Sequence, residues 1–213
     1  MKKTLLLAAT MVALIGFGSS PAQAGVVYDN SCGGTGCVNG FNVTGWNILD
    51  GFSVSDSFTD AGSTFWQVDV WMWSFPGDTL SQLDWAIGTS ALGSDVASGT
   101  AAVTTGASFL NSYGYDISED TFWVPAQTLT GTYWLTLQNG VVTNGDPVYW
   151  DQSDGPSSAF ENPLGSLTNC GYGASGTCSE SFDLGTPEPG TLTLLGAGLL
   201  AIGGLIRRRA VKQ

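Results

Sequence analysis

The side chains of this sequence that can do chemistry are carboxylates and indoles, and almost nothing else. Between Gly25 and Thr186 there are 17 of the chain's 18 acidic residues and no lysine, arginine or histidine, so this stretch carries a formal −17. Without histidine there is no neutral-pH general base, without lysine no Schiff-base nucleophile, and without arginine no clamp for a phosphoryl group. Carboxylate-only chemistry, as in glycoside hydrolysis, is the one large enzyme class that survives, and no pair of acids stands out for it. Hard oxygen ligands on turns suit Ca²⁺, which makes Asp146, Asp151 and Asp154 a candidate calcium site. Asp116, Glu119 and Asp120 form a second acidic group. Neither follows the EF-hand spacing, and solubility is the preferred explanation for the acids. No metal or cofactor is expected firmly; calcium is kept as the alternative.

Indoles are the other resource. Trp66, Trp71, Trp73, Trp123, Trp134 and Trp150 can stack on the apolar faces of pyranose rings if they stand on an open sheet face. The competing use is to fill the core, and for most of them it is preferred. Trp66 shares a strand face with Val68, Val70 and Met72 and is expected inside. Trp71 and Trp73 alternate with those residues, in phase with Gln67 and Asp69, and with Trp150 they make the candidate stacking set.

The elements that must position these groups are short strands. Leu83, Trp85 and Ile87 alternate with Asp84 and Ala86; Tyr133, Leu135 and Leu137 alternate with Thr132, Trp134 and Thr136. Further candidates run over 52–58, 66–72, 113–117, 121–124 and 148–150. Period-two alternation of aromatic and β-branched residues marks half-buried antiparallel strands. Turn signals stand between them at Pro76-Gly77-Asp78, Asn139-Gly140, Asn144-Gly145-Asp146 and Asp154-Gly155-Pro156. No 3.6-residue apolar stripe appears. The pattern predicts an all-β domain over 25–186, an antiparallel two-sheet sandwich of jelly-roll type with about eight strands. Cys32 and Cys37 bracket Gly-Gly-Thr-Gly, and Cys170 and Cys178 bracket a longer Gly-rich loop. Local pairs Cys32–Cys37 and Cys170–Cys178 are preferred over a staple such as Cys32–Cys178; zinc fits these spacings poorly.

The six basic residues lie at the two ends: Lys2, Lys3, Arg207, Arg208, Arg209 and Lys212. Lys2 and Lys3, the apolar run 4–17, and Ala22-Gln23-Ala24 make a signal peptide over 1–24, predicting signal-peptidase cleavage before Gly25. Residues 190–206 are uncharged and apolar, at the lower length limit of a membrane helix, and Arg207–Arg209 hold its far end in the cytoplasm. Pro187-Glu188-Pro189 stands before it as an extended joint that neither helix nor sheet can absorb. The absence of cations from the domain excludes DNA and RNA and disfavours anionic lipid surfaces.

Pro-Glu-Pro, an apolar Gly-rich helix and an arginine cluster, in that order over 187–213, resemble the PEP-CTERM sorting tail. The resemblance implies cutting near Pro187-Glu188-Pro189 by the membrane enzyme exosortase, passage through an inner-membrane intermediate, and delivery to the cell surface or beyond. The runs Gly131–Leu137, Val148–Asp151 and Asp84–Thr89 are similar to ectodomains that precede such tails, whose fold is like carbohydrate-binding jelly rolls. Together these resemblances imply a non-enzymatic exported protein of the extracellular matrix or biofilm. The alternative is a carbohydrate-binding module that holds extracellular polysaccharide on its tryptophans.

Overall fold

The computed structural model describes residues 25–31, 45–153, 155–162, 165–166 and 178–186. The signal peptide, Cys32, Cys37, Cys170, Asp154 and the whole of 187–213 lie outside that set. Residues Val26–Thr186 make one compact unit. Among the described residues there is no helix, and hence none long and apolar enough to cross a membrane.

The strands are β1 (Gly25–Asp29), β2 (Gly45–Asn47), β3 (Ser53–Ser74), β4 (Leu80–Gly88), β5 (Ala97–Ala102), β6 (Thr104–Leu110), β7 (Asp116–Val142), β8 (Tyr149–Ser153), β9 (Ala159–Asn162), β10 (Gly165–Ser166), β11 (Ser179–Glu180) and β12 (Phe182–Thr186). They join in a twelve-stranded sheet whose central path runs β1-β12-β3-β7-β4-β5. Its spine is the antiparallel pairing of β3 with β7, which runs from Ser53↔Gln138 to Ser74↔Asp116. The short candidates at 52–58 and 66–72 are therefore two halves of one 22-residue strand, and those at 121–124 and 132–137 are halves of a 27-residue one.

The spine bends without breaking. Its register shifts between Ala61 and Thr64 and again between Phe65 and Gln67, and such irregularities turn a strand sharply while keeping its neighbours paired. Gly62 supplies the left-handed φ of +97° that the bend requires. Asp60 pins it: one carboxylate oxygen accepts from the Gly62 and Ser63 amides at 3.2 and 3.0 Å, the other from the Leu129 amide at 3.3 Å. On one side of the bend β3 carries β9, and β7 carries β4; on the other β3 carries β12 and β8, and β7 carries β6.

Alternation puts Val54, Phe58, Val68, Val70, Met72, Leu83, Trp85, Ile87, Phe122, Leu135 and Leu137 into one buried core. The two halves meet there. Phe58, from the first half of β3, stands edge-on to Phe65 at 6.0 Å and to Phe182 of β12 at 6.3 Å. A second, smaller cluster of Trp71, Trp73 and Ile117 covers the opposite face of β3 and β7, with Tyr115 and Tyr149 packed on it.

Two expectations need correction. Asn139-Gly140 is not a turn but lies within β7. Asn139 takes a left-handed φ of 52° and donates to Asp84 Oδ2 at 2.8 Å, and a side chain at Gly140 would collide with Val148. Trp66, expected inside, is 36% exposed, because the irregularity at 65–67 places Phe65 in the inward position instead. Phe58→Ala should cost about 3–5 kcal/mol in chemical denaturation. Trp123→Ala, on the exposed face, should cost less than about 1 kcal/mol.

Candidate functional site

Polar groups are buried at one place above all, where five segments converge. Asn30 follows β1, Asp56 lies in β3, Ser153 ends β8, Ser157 sits in the loop after it, and Ser179 and Glu180 form β11; all are buried. Asp56 is the hub. Its Oδ2 accepts from the Glu180 amide at 2.6 Å, Ser157 Oγ at 2.8 Å, Asn30 Nδ2 at 3.2 Å and Ser179 Oγ at 3.4 Å, while Oδ1 accepts from the Ser57 amide at 2.7 Å. Asn30 Nδ2 also reaches the Glu180 carbonyl at 2.6 Å, and Ser153 Oγ lies 3.0 Å from Ser179 Oγ. Even with these donors, burial pushes Asp56 up to about 7.

Glu180 is more extreme. It is fully buried, and neither carboxyl oxygen has a hydrogen-bond partner among the described residues. Burial holds its carboxyl well above the ordinary range, and the charges of Asp56, Asp151 and Glu161 push the same way. Asp151 is also raised well above that range by burial, against a 2.5 Å hydrogen bond from Trp73 Nε1. Burial raises Glu161 too. In a domain without a single cation, buried acids meet only amides, hydroxyls, indoles and one another.

A second group of acids lies on the face opposite Val68 and Val70. Asp183 of β12 pairs in register with Asp69 of β3. The carboxyls of Asp183 and Asp29 hydrogen-bond each other, and Asp183 is raised to about 7 by burial first, then by that bond and by the Asp29 charge. Against its own desolvation, hydrogen bonds from Ser31 hold Asp29 below the usual range. Asp69 accepts from Gln67 Nε2 at 2.8 Å and Thr121 Oγ1 at 2.5 Å. Trp123, in register with Gln67, is half exposed on this face.

The candidate stacking set does not reach the surface. Trp71, Trp73 and Trp150 are 7, 5 and 0% exposed. Tyr113 stacks on Trp73 at 6.4 Å and Tyr115 packs at 5.6 Å, while Trp150 meets Phe182 edge-on and donates to the Ser181 carbonyl at 2.9 Å. The tryptophans that do stand open are Trp66 and Trp123, with Phe75 and Tyr113 at the end of the sheet. Of the candidate calcium set, Asp146 is exposed and Asp151 is buried, its Oδ1 accepting from Trp73; Asp154 is outside the described residues, as are Ala22 and Ala24. Gly25 opens β1. Cys178 is buried and disulfide-bonded, its partner outside the described residues.

Two of the buried acids were open to discovery in the sequence, and Asp120 is one, since it stands in phase with the buried Phe122 and Val124. Asp56 stands in phase with Val54 and Phe58, and an acid on an inward-facing register is a signal in itself. Glu180 and the pairing of Asp29 with Asp183 carry no such signal, since only the path of the chain brings those segments together.

What the molecule is for rests on its C-terminal end. β12 closes the compact unit at Thr186, and residues 186–209 match the PEP-CTERM protein-sorting motif. The chain carries a PEP-CTERM tail. A search of curated proteins finds no match to the chain. The PEP-CTERM tail implies an exported protein that is handled by an exosortase while anchored in the membrane and is destined for the surface.

The paired carboxyls give a direct test by site-resolved carbonyl ¹³C NMR titration. Asp183 should titrate near pH 7. Asp84, held down by Thr100 and Asn139, should titrate below the ordinary aspartate range. Asp29→Asn should move the Asp183 midpoint downward, because it removes the neighbouring charge.

Proposed function

We propose that this chain is a non-catalytic surface protein, carried out of the cell by a signal peptide and held at the inner membrane by a helix over 190–206. Exosortase cutting near Pro187-Glu188-Pro189 then passes it to the exopolysaccharide matrix or biofilm. The observation that carries this reading is the match of 186–209 to the PEP-CTERM motif, which starts where the last strand of the folded unit stops. In the same reading the bent spine makes the ectodomain a two-layer, jelly-roll-like sandwich, and the four cysteines are oxidised as befits an exported domain.

The absence of catalysis is supported by chemistry. The domain has no histidine, lysine or arginine. Its hydrogen-bonded pair of acids, Asp29 and Asp183, is in direct contact, whereas glycosidase carboxyls stand ~5–9.5 Å apart to admit substrate or water.

Carbohydrate binding is the second reading, and one observation favours it. Trp66 and Trp123 are exposed at the bend of the spine, beside polar groups of the kind that bond sugar hydroxyls. If this face holds polysaccharide, Trp123→Ala should abolish retardation in polysaccharide gels and Trp71→Ala should not. Retardation untouched by Trp123→Ala and Trp66→Ala would refute this second reading.

The sorting reading is tested by intact-mass measurement on surface-extracted protein. The expected mature form begins at Gly25 and lacks Arg207, Arg208 and Arg209; replacing Pro187-Glu188-Pro189 by Ala-Ala-Ala should leave those arginines in place. Arginines retained in the unaltered surface form would contradict it.

A further inference from the structure

β11 and β12 are the last strands before the sorting tail, and they are docked through an acid that has nothing to neutralise it. Glu180 lies in β11, two residues before β12 begins at Phe182. Its backbone is bound on every side: its amide donates to Asp56, its carbonyl accepts from Asn30 Nδ2 and, at 3.3 Å, from Ser153 Oγ, and it pairs in register with Gln152. Its carboxyl is fully buried, and both oxygens lack a partner among the described residues.

The charged groups that face this carboxyl come from three elements: Asp56 of β3, Asp151 of β8 and Glu161 of β9. All are acids. The neighbouring titratable group Tyr28 is pushed up to about 12, by burial and then by Asp56. Asp183, further along the chain in β12, is another acid, and no lysine, arginine or histidine exists anywhere in 25–186. With no basic side chain in 25–186, a carboxylate in such a place can be compensated by a proton or by a bound metal cation. Among the described residues no three acids are placed to share a metal ion. The proton remains.

We propose that Glu180 is a proton-operated latch on the C-terminal strand pair: it is neutral while β11 and β12 are docked, and its ionisation releases them. A neutral carboxyl can sit among acids and donate a hydrogen bond; an ionised one is desolvated and repelled by Asp56, Asp151 and Glu161. Because the folded group holds its proton more tightly than the unfolded one, the docked state keeps its full stability below the ordinary glutamate range. That stability is lost as pH rises through the folded value, the direction that Asp56 also follows. Through this latch the pH outside the cell sets how freely the chain leading to the sorting tail can be reached.

The test is deuterium uptake in the full-length chain in detergent micelles, read as the ratio of peptide 178–186 to peptide 80–102, so that the intrinsic pH dependence of exchange cancels. Between about pH 5 and about pH 9 that ratio should rise roughly tenfold or more, which is one unit of proton linkage. Glu180→Gln, an isosteric neutral replacement, should clearly reduce the rise and leave only the part that Asp56 contributes. A ratio that does not change with pH in the parent chain overturns the latch, and that result does not depend on any variant folding. So does a rise that persists unaltered in Glu180→Gln. So too does a rise in the parent that millimolar Ca²⁺ cancels and a chelator restores, since a cation would then be the compensating charge.

Discussion

Every buried acid in this domain must be accommodated without a counter-charge, and much of the structure is organised around that constraint. Asp56 accepts five hydrogen bonds from four segments of chain, so that the ends of the domain, at Asn30 and Ser179–Glu180, are fastened near one end of its longest strand pair. Asp60 uses both oxygens to hold the bend in β3. Asp151 is taken by the indole of Trp73, which ties the outer aromatic cluster to β8. Where a salt bridge would serve in an ordinary domain, backbone amides, serine hydroxyls and indoles serve here. Glu180 in β11 and Asp120 in β7 are the buried acids whose two oxygens both lack a partner among the described residues.

The all-β class was legible because alternation is local. Val68, Val70 and Met72 face inward as their spacing requires, and so do Leu83, Trp85 and Ile87. What was not legible is continuity. Two pairs of short alternating runs proved to be two long strands, since a glycine at left-handed φ and a shifted register can bend a strand without ending it. The same shift reversed the reading of Trp66. Trp71 and Trp73 were assigned the right face, yet that face carries its own cover of Tyr113, Tyr115 and Tyr149, which no spacing within β3 reports.

The site was legible in proportion to how contiguous it is. The PEP-CTERM tail is a single run of residues, and its three parts can be recognised in order. The buried carboxyl cluster draws on residues from Asn30 to Glu180, and the Asp29–Asp183 pair joins the first strand to the last. Both depend on the closing of the sheet by β12 against β3, a long-range pairing with no local mark. Export and acidity are consistent with one another: residues 25–186 contain no lysine or arginine that would favour the cytoplasmic side of a membrane.

The proposed latch requires that buried acids of this domain, which has no basic side chain, be held as neutral carboxyls. Infrared spectroscopy of the folded protein at neutral pH reads this directly, because protonated and ionised carboxyls absorb at separate C=O stretching frequencies. A protonated-carboxyl band should persist at neutral pH, weaken in Glu180→Gln and vanish on unfolding. A folded protein whose spectrum at neutral pH contains ionised carboxylates only would contradict it.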